Sequence, residues 1–521
     1  MKKLLPFALV LGALTTSSAQ KKPEKFATSI LAEDLKKHLS VIANDSLEGR
    51  GTGTPGQWKA AKYIANHFKN LGLKPVGTDG SYFQKVELAK SSWKDVYLVV
   101  NGNKKELYKD FVVSGTTGFP SEQTVEAVYA KYGIEAPTYS DLNGVDVKGK
   151  VVIINDGEPK KEDGTFLLSG TEKPSEWSDR GGVAKKVKLL SDKGAIAVFT
   201  VAKSSDEEQE KVFVRMKGFA ARLNQLVFKN DPNRGKNPLQ MTIKQGVAKE
   251  VLGLTDAQLA DLASAKLPSG SAKGSLVVKA ERLEEDIETS NVVGFMEGKD
   301  LKDEVIIITA HYDHIGISPN GQINNGANDD GSGTVTVMEV AEAFAAAKAK
   351  GQGPRRSILF MTVTGEERGL LGSEYYVEHP IFPLEKTVVD LNIDMVGRVD
   401  KEHEGKSDYI YVIGSDKLSS ELHLINEEAN TKYTQLDLDY RFNDPKDPNR
   451  FYYRSDHYNF AKKKIPVAFY FNGVHPDYHQ PTDDIEKIQF DKAEKVGRLV
   501  FYTAWEIANR DKRIVVDSNK P

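Results

Sequence analysis

The sequence predicts an α/β protein: a three-layer α/β/α sandwich with a mixed, largely parallel sheet, plus a smaller β-rich inserted domain. Beyond Thr289, short apolar runs rich in branched residues alternate with segments of helical periodicity. Short strand-like runs and lysine-rich turns fill the stretch 96–284 instead. The length of 521 residues exceeds the comfortable size of one hydrophobic core, so we expect more than one domain.

The N-terminus predicts export. Lys2 and Lys3, the apolar run Leu4–Leu14 and the small residues before Gln20 are typical of a cleaved bacterial-type signal peptide, which we place at 1–19. The apolar run is shorter than the roughly 20 residues that a membrane span requires. We therefore expect a periplasmic or extracellular protein without a membrane-spanning segment.

The first part of the main domain is predicted at 26–95. Apolar spacing there indicates helices at 26–47 and 57–71, separated by the glycine-rich loop SLEGRGTGTPGQ. No strand precedes this loop and no GK[ST] follows it, so we interpret it as a flexible connector or a lip over a cleft, not as a phosphate loop.

The predicted insert at 96–284 contains no histidine and few candidate catalytic clusters. Its segments DVKGKVVIINDGEP and LLSDKGAIAVFTV predict two buried strands joined by a crossover.

The second part of the main domain is predicted at 285–512. Its predicted strands are 292–296, 305–310, 358–363, 388–393, 409–413 and 467–471, and its helices lie near 333–350, 369–379, 417–430, 455–463 and 490–510. This alternation places helices on both faces of the sheet. In such sheets ligands bind at the carboxyl ends of the strands.

Composition excludes several kinds of site. The net charge of −3 gives no basic surface for nucleic acid, so we expect no nucleic-acid partner. The absence of cysteine excludes thiol nucleophiles, disulfides and Cys-ligated zinc. A transition-metal site in this chain must therefore use His, Asp and Glu.

The turn Asn325–Gly333, NGANDDGSG, is the centre of the predicted site. It places two adjacent carboxylates, Asp329 and Asp330, among glycines that let the backbone fold inward. A carboxylate held this way can bridge two metal ions. Taken alone, the turn also fits a helix cap with Asp330 or Ser332 as the capping residue, or a calcium loop.

Titratable residues follow the predicted strands where these end. They are His311 and Asp313, Glu366 and Glu367, Asp394, and His479. Charges at the end of a buried strand cost several kcal/mol unless they are paired or bound to metal. We therefore predict that these residues and the acidic turn form one site with two zinc ions.

The ligand chemistry assigns a role to each residue. Asp329 would bridge the ions, His311 and Asp394 would complete one of them, and Glu367 and His479 the other. Two zinc ions polarise a carbonyl and generate hydroxide near neutral pH.

Other residues support these ligands in the prediction. Glu366 would act as the general base. Asp313 would orient the imidazole of His311, and Asp483, four residues after His479, would do the same for that ring.

Each member also has a simpler reading when it is taken singly. Glu366 and Glu367 fit a solvated pair at a helix start, and Asp394 fits a buried acid with backbone donors. The histidines have rivals: His314 competes with His311, and His457 and His475 compete with His479. The joint occurrence of these residues favours the metal site.

The segments AHYDHIG, GANDDGSG, TGEERGLLGSEYY, NIDMVGR and DYHQPTDD resemble, in order and spacing, the di-zinc aminopeptidase family. That family includes aminopeptidases Y and S and is related to glutamate carboxypeptidase and glutaminyl cyclase. The resemblance covers about 290–510 strongly and 30–75 moderately. The insert resembles a protease-associated domain through DVKGKVVIINDG and KGAIAVFTV.

This resemblance implies a zinc exopeptidase fold and an aminopeptidase that acts on peptides with a free N-terminus. It implies the same ligands and base, and a cis peptide bond between Asp329 and Asp330. It also implies that Tyr478 stabilises the oxyanion of the tetrahedral intermediate, although a tyrosine packed against the strand fits the sequence equally.

Several alternatives stay open on the same fold. Carboxypeptidase or dipeptidase activity is one alternative. Only the family likeness, and no single residue, favours aminopeptidase activity over it. A glutaminyl cyclase uses one zinc, and some relatives are receptor ectodomains without catalysis; the complete ligand set and Glu366 argue against both. The side-chain preference, the role of the insert and the oligomeric state are not predicted.

Overall fold

The computed structural model describes residues 22–115, 117–179, 181–222, 225–230 and 238–518. The predicted signal peptide at 1–19 lies outside these residues. The chain forms two compact units, Met1–Val86 with Thr289–Pro521, and Glu87–Glu288. We call them the main unit and the inserted unit. Among the helices of the described residues, none combines the length and the apolar character needed to cross a membrane.

The main unit is built on a mixed sheet that is largely parallel. Its strands are Leu276–Met296, Leu301–His311, Arg356–Val363, Thr387–Ile393, Tyr409–Ile413, Asp437–Asp439 and Val467–Phe471, the first of which begins in the inserted unit. Leu301–His311 pairs in parallel with Arg356–Val363 and Thr387–Ile393, and the latter pairs in parallel with Val467–Phe471. Tyr409–Ile413 runs antiparallel beside Val467–Phe471.

Helices cover this sheet and produce three layers. They are Glu24–Ala27, Ala32–Ile42, Pro55–Asn70, Gly333–Ala349, Leu371–Glu378, Ser420–Ala429, His457–Lys462 and Phe490–Asn509. Alternate residues of one central strand point to opposite faces. Ile306 and Ile308 belong to one hydrophobic core, and Val305 and Ile307 belong to another. The predicted three-layer α/β class is therefore confirmed.

The inserted unit contains a second sheet with its own core. The strand order is Gly270–Ser271, Ala127–Tyr129, Val151–Asn155, Ala197–Val201, Leu239–Ile243 and Phe111–Ser114. The four middle strands are parallel. The helices of the unit are Gly182–Asp192, Asp206–Arg222, Gln245–Leu252 and Asp256–Ala263. Gly182–Asp192 lies in the connection between Val151–Asn155 and Ala197–Val201, which confirms the predicted crossover.

Shorter or peripheral strands complete the chain. They are Phe83–Val100, Asn103–Glu106, Phe119–Val125, Glu135–Ala136, Tyr139–Ser140, Gln225–Phe228, Gly316–Ile317 and Ile323–Asn324.

The glycine-rich segment near residue 50 is not the flexible connector that the sequence predicts. It forms a short helix, Asp45–Arg50, and the next helix begins at Pro55. The guanidinium of Arg50 is fully buried. It donates hydrogen bonds to the carbonyl oxygens of Ile42, Tyr312, Asn325 and Gly326 at 2.6–3.0 Å. Four carbonyl acceptors compensate the buried cation. Two of them belong to the acidic turn, so Arg50 stabilises the backbone of that turn.

Candidate metal centre

The two adjacent carboxylates of the acidic turn have different surroundings. Asp330 accepts hydrogen bonds from the backbone amides of His311, Gly333 and Met395 at 2.8–3.2 Å. It therefore caps the helix Gly333–Ala349 and fixes the neighbouring strand ends. Asp329 takes no such capping role, and the peptide bond between the two residues is cis, as the family resemblance predicts.

Asp329 lies between two groups of predicted ligands. Its Oδ1 is 3.3 Å from His311 Nε2, and its Oδ2 is 3.0 Å from His479 Nε2. His311 Nε2 is 3.6 Å from Asp394 Oδ1, and His479 Nε2 is 3.1 Å from Glu367 Oε2. The structure thus brings all five predicted ligands together, with one oxygen of Asp329 facing each group.

A sixth residue, His314, joins the group that contains Glu367. Its Nδ1 is 2.8 Å from Glu367 Oε1 and 3.9 Å from Asp329 Oδ2, and the ring is fully buried. The sequence suggested His314 as a rival of His311, but it lies on the opposite side of Asp329. The sequence pattern that could have identified His314 is HYDH, which places two imidazoles on one loop after the strand.

The two rivals of His479 lie elsewhere. The ring of His457 is buried and stacks on Phe469 with 4.6 Å between the centroids, and burial lowers its pKa to about 3. His475 Nε2 is 3.0 Å from the side-chain amide of Asn328. Neither histidine belongs to the two ligand groups, although His475 supports the residue that precedes Asp329.

The atoms of the site fit positive ions. Several of them are buried and, although other ligand atoms lie close by, form no hydrogen bond of normal geometry among the described residues: Asp329 Oδ2, Glu367 Oε1, Asp394 Oδ1 and both ring nitrogens of His314. Two sets of ligand atoms, each within 4.8 Å of one another, share Asp329: His311 with Asp394, and His314 with Glu367. Buried charges of this kind are stable when they coordinate a metal.

Glu366 lies beside the predicted ligands, at a longer distance from His311 than Asp329 and Asp394. Its Oε2 is 3.8 Å from His311 Nε2. Burial raises the pKa of Glu366 well above its ordinary value; His311 opposes this shift and Glu367 reinforces it. The carboxyl group can therefore hold a proton within reach of the ligand cluster.

Asp313 orients His311 through its backbone and not through its carboxylate. His311 Nδ1 is 3.0 Å from the carbonyl oxygen of Asp313, whereas the Asp313 carboxylate is 3.9 Å away. Because a carbonyl only accepts, Nδ1 carries the hydrogen and Nε2 presents its lone pair to the site. The carboxylate instead accepts hydrogen bonds from Thr52 Oγ1 at 2.7 Å and the amide of Glu366 at 3.2 Å.

The prediction for Asp483 is wrong. Its Oδ2 accepts hydrogen bonds from the amides of Asn328 and Asp329 at 3.0 and 3.1 Å. The spacing of four residues from His479 suggested a partner of that ring, but the intervening turn directs the carboxylate to the backbone of the acidic turn. Asp483 therefore fixes the position of Asp329.

Sequence reasoning missed the support of Asp394. Ser455 Oγ donates to Asp394 Oδ2 at 2.7 Å, and the Asn392 amide donates to Ser455 Oγ at 2.8 Å. The serine is 61 residues away along the chain. No local pattern pairs it with Asp394, so only the folded structure could find it.

Tyr478 faces a recess beside the site. Its ring stacks on His479 with 3.9 Å between the centroids, and its hydroxyl accepts a hydrogen bond from Arg454 at 3.4 Å. Burial and the nearby carboxylates raise the pKa of Tyr478, so the hydroxyl keeps its proton at neutral pH. The recess is lined by Asp329, Glu366, Asp394, Met395, Phe451, Arg454, Phe469, Phe471, Val474 and Tyr478.

Fold and site together define an α/β protein with a candidate two-cation centre at the carboxyl edge of its main sheet. Residues 291–504 match the model of Peptidase family M28. The chain therefore carries a domain of that family.

Individual relatives are similar to parts of the chain. Aminopeptidase YwaD of Bacillus subtilis (strain 168) is 29% identical over 233 residues, which are 43% of this chain and 46% of that protein. A probable leucine aminopeptidase of Arthroderma otae is 30% identical over 236 residues, 44% of this chain and 61% of that protein. The chain thus spans about half the length of these curated relatives.

Similarity to a solved structure extends over nearly the whole chain. The aminopeptidase from Aneurinibacillus sp. strain AM-1 aligns with a TM-score of 0.53 at 20% sequence identity, covering 95% of this chain and 98% of that one. At this identity the likeness establishes the fold.

Proposed function

We propose that this chain is an exported metallo-aminopeptidase that removes N-terminal residues from peptides. The observation that carries the proposal is the position of Asp329, whose two oxygens face two separate groups of buried imidazoles and carboxylates. Unpaired atoms in both groups support two cations at this edge of the sheet.

Zinc fits this donor set best. Imidazole and carboxylate ligands suit Zn²⁺, and three protein ligands per ion leave a position open for chemistry. His311, Asp329 and Asp394 would hold one ion, and Asp329, Glu367 and His479 the other, with His314 as a further donor beside Glu367. When bound, the ions would supply Lewis-acid activation of water and of the scissile carbonyl.

Glu366 is the group that moves the proton. Its carboxyl lines the recess and lies next to the ligands, so it can accept a proton from the attacking water and return it to the leaving amine. The backbone amide of Glu366 donates a hydrogen bond to the Asp313 carboxylate, which fixes the backbone that carries this side chain. The protonated hydroxyl of Tyr478 faces the same recess and can donate a hydrogen bond to the oxyanion.

The recess supports a substrate class. Its carboxylates favour a free α-amino group near the ligands, and its walls, among them Met395, Phe451 and Phe469, are apolar and aromatic. An apolar first side chain buries favourable surface there. The two relatives above carry aminopeptidase names, one of them a leucine aminopeptidase. We therefore propose peptides with a free N-terminus and an apolar first residue as substrates.

Carboxypeptidase or dipeptidase activity is the second candidate. Arg454 lines the recess, and its guanidinium carbon lies 4.9 Å from the centre of the Phe451 ring. A guanidinium in a recess beside the reacting groups suits a carboxylate at the substrate C-terminus.

Two further features of the proposal concern the rest of the chain. We propose that the segment 1–19 directs export and that the inserted unit is a protease-associated domain. Its parallel strands and crossover support that assignment.

Mass spectrometry of a peptide pool tests the proposal. The purified chain is incubated with peptides that are free, N-acetylated or C-terminally amidated, with and without a chelator. Stepwise loss of apolar N-terminal residues from free and amidated peptides, abolished by chelator, is the expected result. Trimming restricted to free C-termini would transfer the assignment to a carboxypeptidase, and loss of ammonia from N-terminal glutamine to a cyclase.

A further inference from the structure

A second cluster of histidines and glutamates lies among three helices of the main unit, apart from the acidic turn. His38 comes from Ala32–Ile42, His67 from Pro55–Asn70, and Glu339 and Glu342 from Gly333–Ala349. The two glutamates are three residues apart, so they share one face of their helix. We call these four residues the helix cluster.

The side chains of the helix cluster converge on one point. One ligand atom each of His38, His67 and Glu342 lie within 4.8 Å of one another. The two imidazole rings meet edge to face with 4.7 Å between their centroids. His38 Nε2 is 3.4 Å from Glu339 Oε1. Three potential ligands thus lie at the spacing of a metal site, and Glu339 lies next to one of them.

Glu339 is a buried carboxyl group beside a neutral imidazole. Its side chain is 1% exposed, and among the described residues neither oxygen has a hydrogen-bond partner. Burial lowers the pKa of His38 to about 4, so the neighbouring imidazole is neutral at pH 7. A buried carboxylate without a hydrogen bond or a cation costs several kcal/mol. Burial also raises the pKa of Glu339 to about 8, so its carboxyl group keeps a proton near neutral pH, and a bound cation would replace that proton.

The hydrogen bonds of both histidines leave a ring nitrogen for a ligand. His67 Nε2 is 3.3 Å from the carbonyl oxygen of Met338, which only accepts, so Nδ1 keeps its lone pair. His38 Nδ1 is 2.8 Å from the hydroxyl of Tyr63, and its Nε2 points to Glu339. A histidine that binds a metal commonly donates its other N–H to a carbonyl or an oxygen in this way.

We propose that the helix cluster is a structural site for one divalent cation of the Zn²⁺ type. Two imidazoles and two carboxylates complete a four-coordinate set with no position left for a substrate. Glu339 lies six residues beyond Gly333, about 9 Å along the helix that begins after the acidic turn. The ion would link the helices Ala32–Ile42 and Pro55–Asn70 to the helix that follows this turn, and it would be separate from the proposed reaction.

Metal counting tests the proposal on the full chain. Wild type, His67→Gln, Glu342→Gln and Asp329→Ala are equilibrated with Zn²⁺, freed of excess ion, and analysed by mass spectrometry for bound zinc. His67→Gln and Glu342→Gln should each hold one equivalent less than wild type. Asp329→Ala should lose the ions of the acidic turn and keep one. The exposed His379→Gln is the matched control and should bind as wild type does.

A crystal of the zinc-loaded chain gives an independent reading. An anomalous peak at the zinc edge between His38 and Glu342 is expected. Equal zinc content in wild type, His67→Gln and Glu342→Gln, or no anomalous peak within the helix cluster, would overturn the proposal and leave a metal-free contact between His38 and Glu339. Because the count in Asp329→Ala is independent of peptidase activity, failure of the proposed function stays distinguishable from failure of this site.

Discussion

The main and inserted units both contain parallel strands with helical crossovers, but their strand ends differ. In the main unit, the groups after the strands include Asp394 Oδ1 and Glu367 Oε1, which are buried without a hydrogen-bond partner. In the inserted unit, Asn155 accepts from the Tyr129 hydroxyl at 3.1 Å and donates to the carbonyl of Leu262 at 2.6 Å.

The acids of the inserted unit are similarly satisfied. Glu158 accepts three hydrogen bonds, from the amide and hydroxyl of Ser175 and from the hydroxyl of Ser178, at 2.5–2.7 Å. Asp156 pairs with Lys203 at 3.1 Å on the surface. The comparison teaches that a shared topology does not locate chemistry. A cluster of buried imidazoles and carboxylates whose atoms lack hydrogen bonds does, and one such cluster lies at the edge of the main sheet.

The substitution Glu366→Gln is expected to have the largest effect. It tests whether the residues at the carboxyl edge of the main sheet are catalytic. The amide cannot take up the proton, so turnover should fall about 10²–10⁴-fold. Zinc content and melting temperature should match wild type, because Glu366 is not assigned as a ligand. Kinetics on a peptide identified in the pool assay give the measurement, with the exposed Glu404→Gln as control. Turnover within a factor of about ten of wild type would remove Glu366 from the reaction.

Ser455→Ala removes a hydrogen bond to the predicted ligand Asp394 and so tests whether residues behind the ligands at the main sheet affect metal binding. Without the hydrogen bond at 2.7 Å, Asp394 is less well oriented. Zinc affinity should fall roughly 10–100-fold, while turnover at saturating zinc changes little. Competition with a chromogenic chelator measures the affinity.

A surface serine provides the matched control for that variant. Ser420→Ala also removes a serine–carboxylate hydrogen bond, at 2.6 Å to Asp517 on the surface, and should leave zinc affinity unchanged. An equal affinity loss in both variants would contradict a specific role of Ser455.

Lys203→Met is the smallest predicted effect and tests the inserted unit. Both members of its ion pair with Asp156 are exposed. Breaking it should change the free energy of unfolding by less than about 1 kcal/mol. Zinc content and turnover should stay at the wild-type values. A lower zinc content, measured by mass spectrometry, would instead place metal chemistry in the inserted unit.

Local periodicity was sufficient to predict most of the main sheet. The strand 467–471 and the helix 490–509 lie within one residue of their predicted bounds, because the strand is a continuous apolar run and the apolar residues of the helix recur at helical spacing. The five residues predicted as ligands do converge, since parallel strands bring their carboxyl ends to one edge; their binding of metal stays a prediction. The resemblance to a known family supplied the cis bond at Asp329.

The features that could not be predicted from the sequence depend on contacts between residues far apart in the chain. His38 and Glu339 are 301 positions apart by number and meet only because their helices pack. Arg50 reads as part of a polar glycine-rich loop, yet its partners are carbonyl groups that carry no side-chain signal. Asp483 was misassigned because sequence spacing does not fix the direction of a turn.

The buried guanidinium of Arg50 also sets an order of assembly. Three of its four acceptors, on Tyr312, Asn325 and Gly326, lie 262–276 residues downstream. At a synthesis rate of about 5–20 residues per second, they follow Arg50 by on the order of tens of seconds. The inserted unit, 87–288, is synthesised in full during that interval. The first helices of the chain must therefore wait for their final partners while the later-encoded insert already has all its strands.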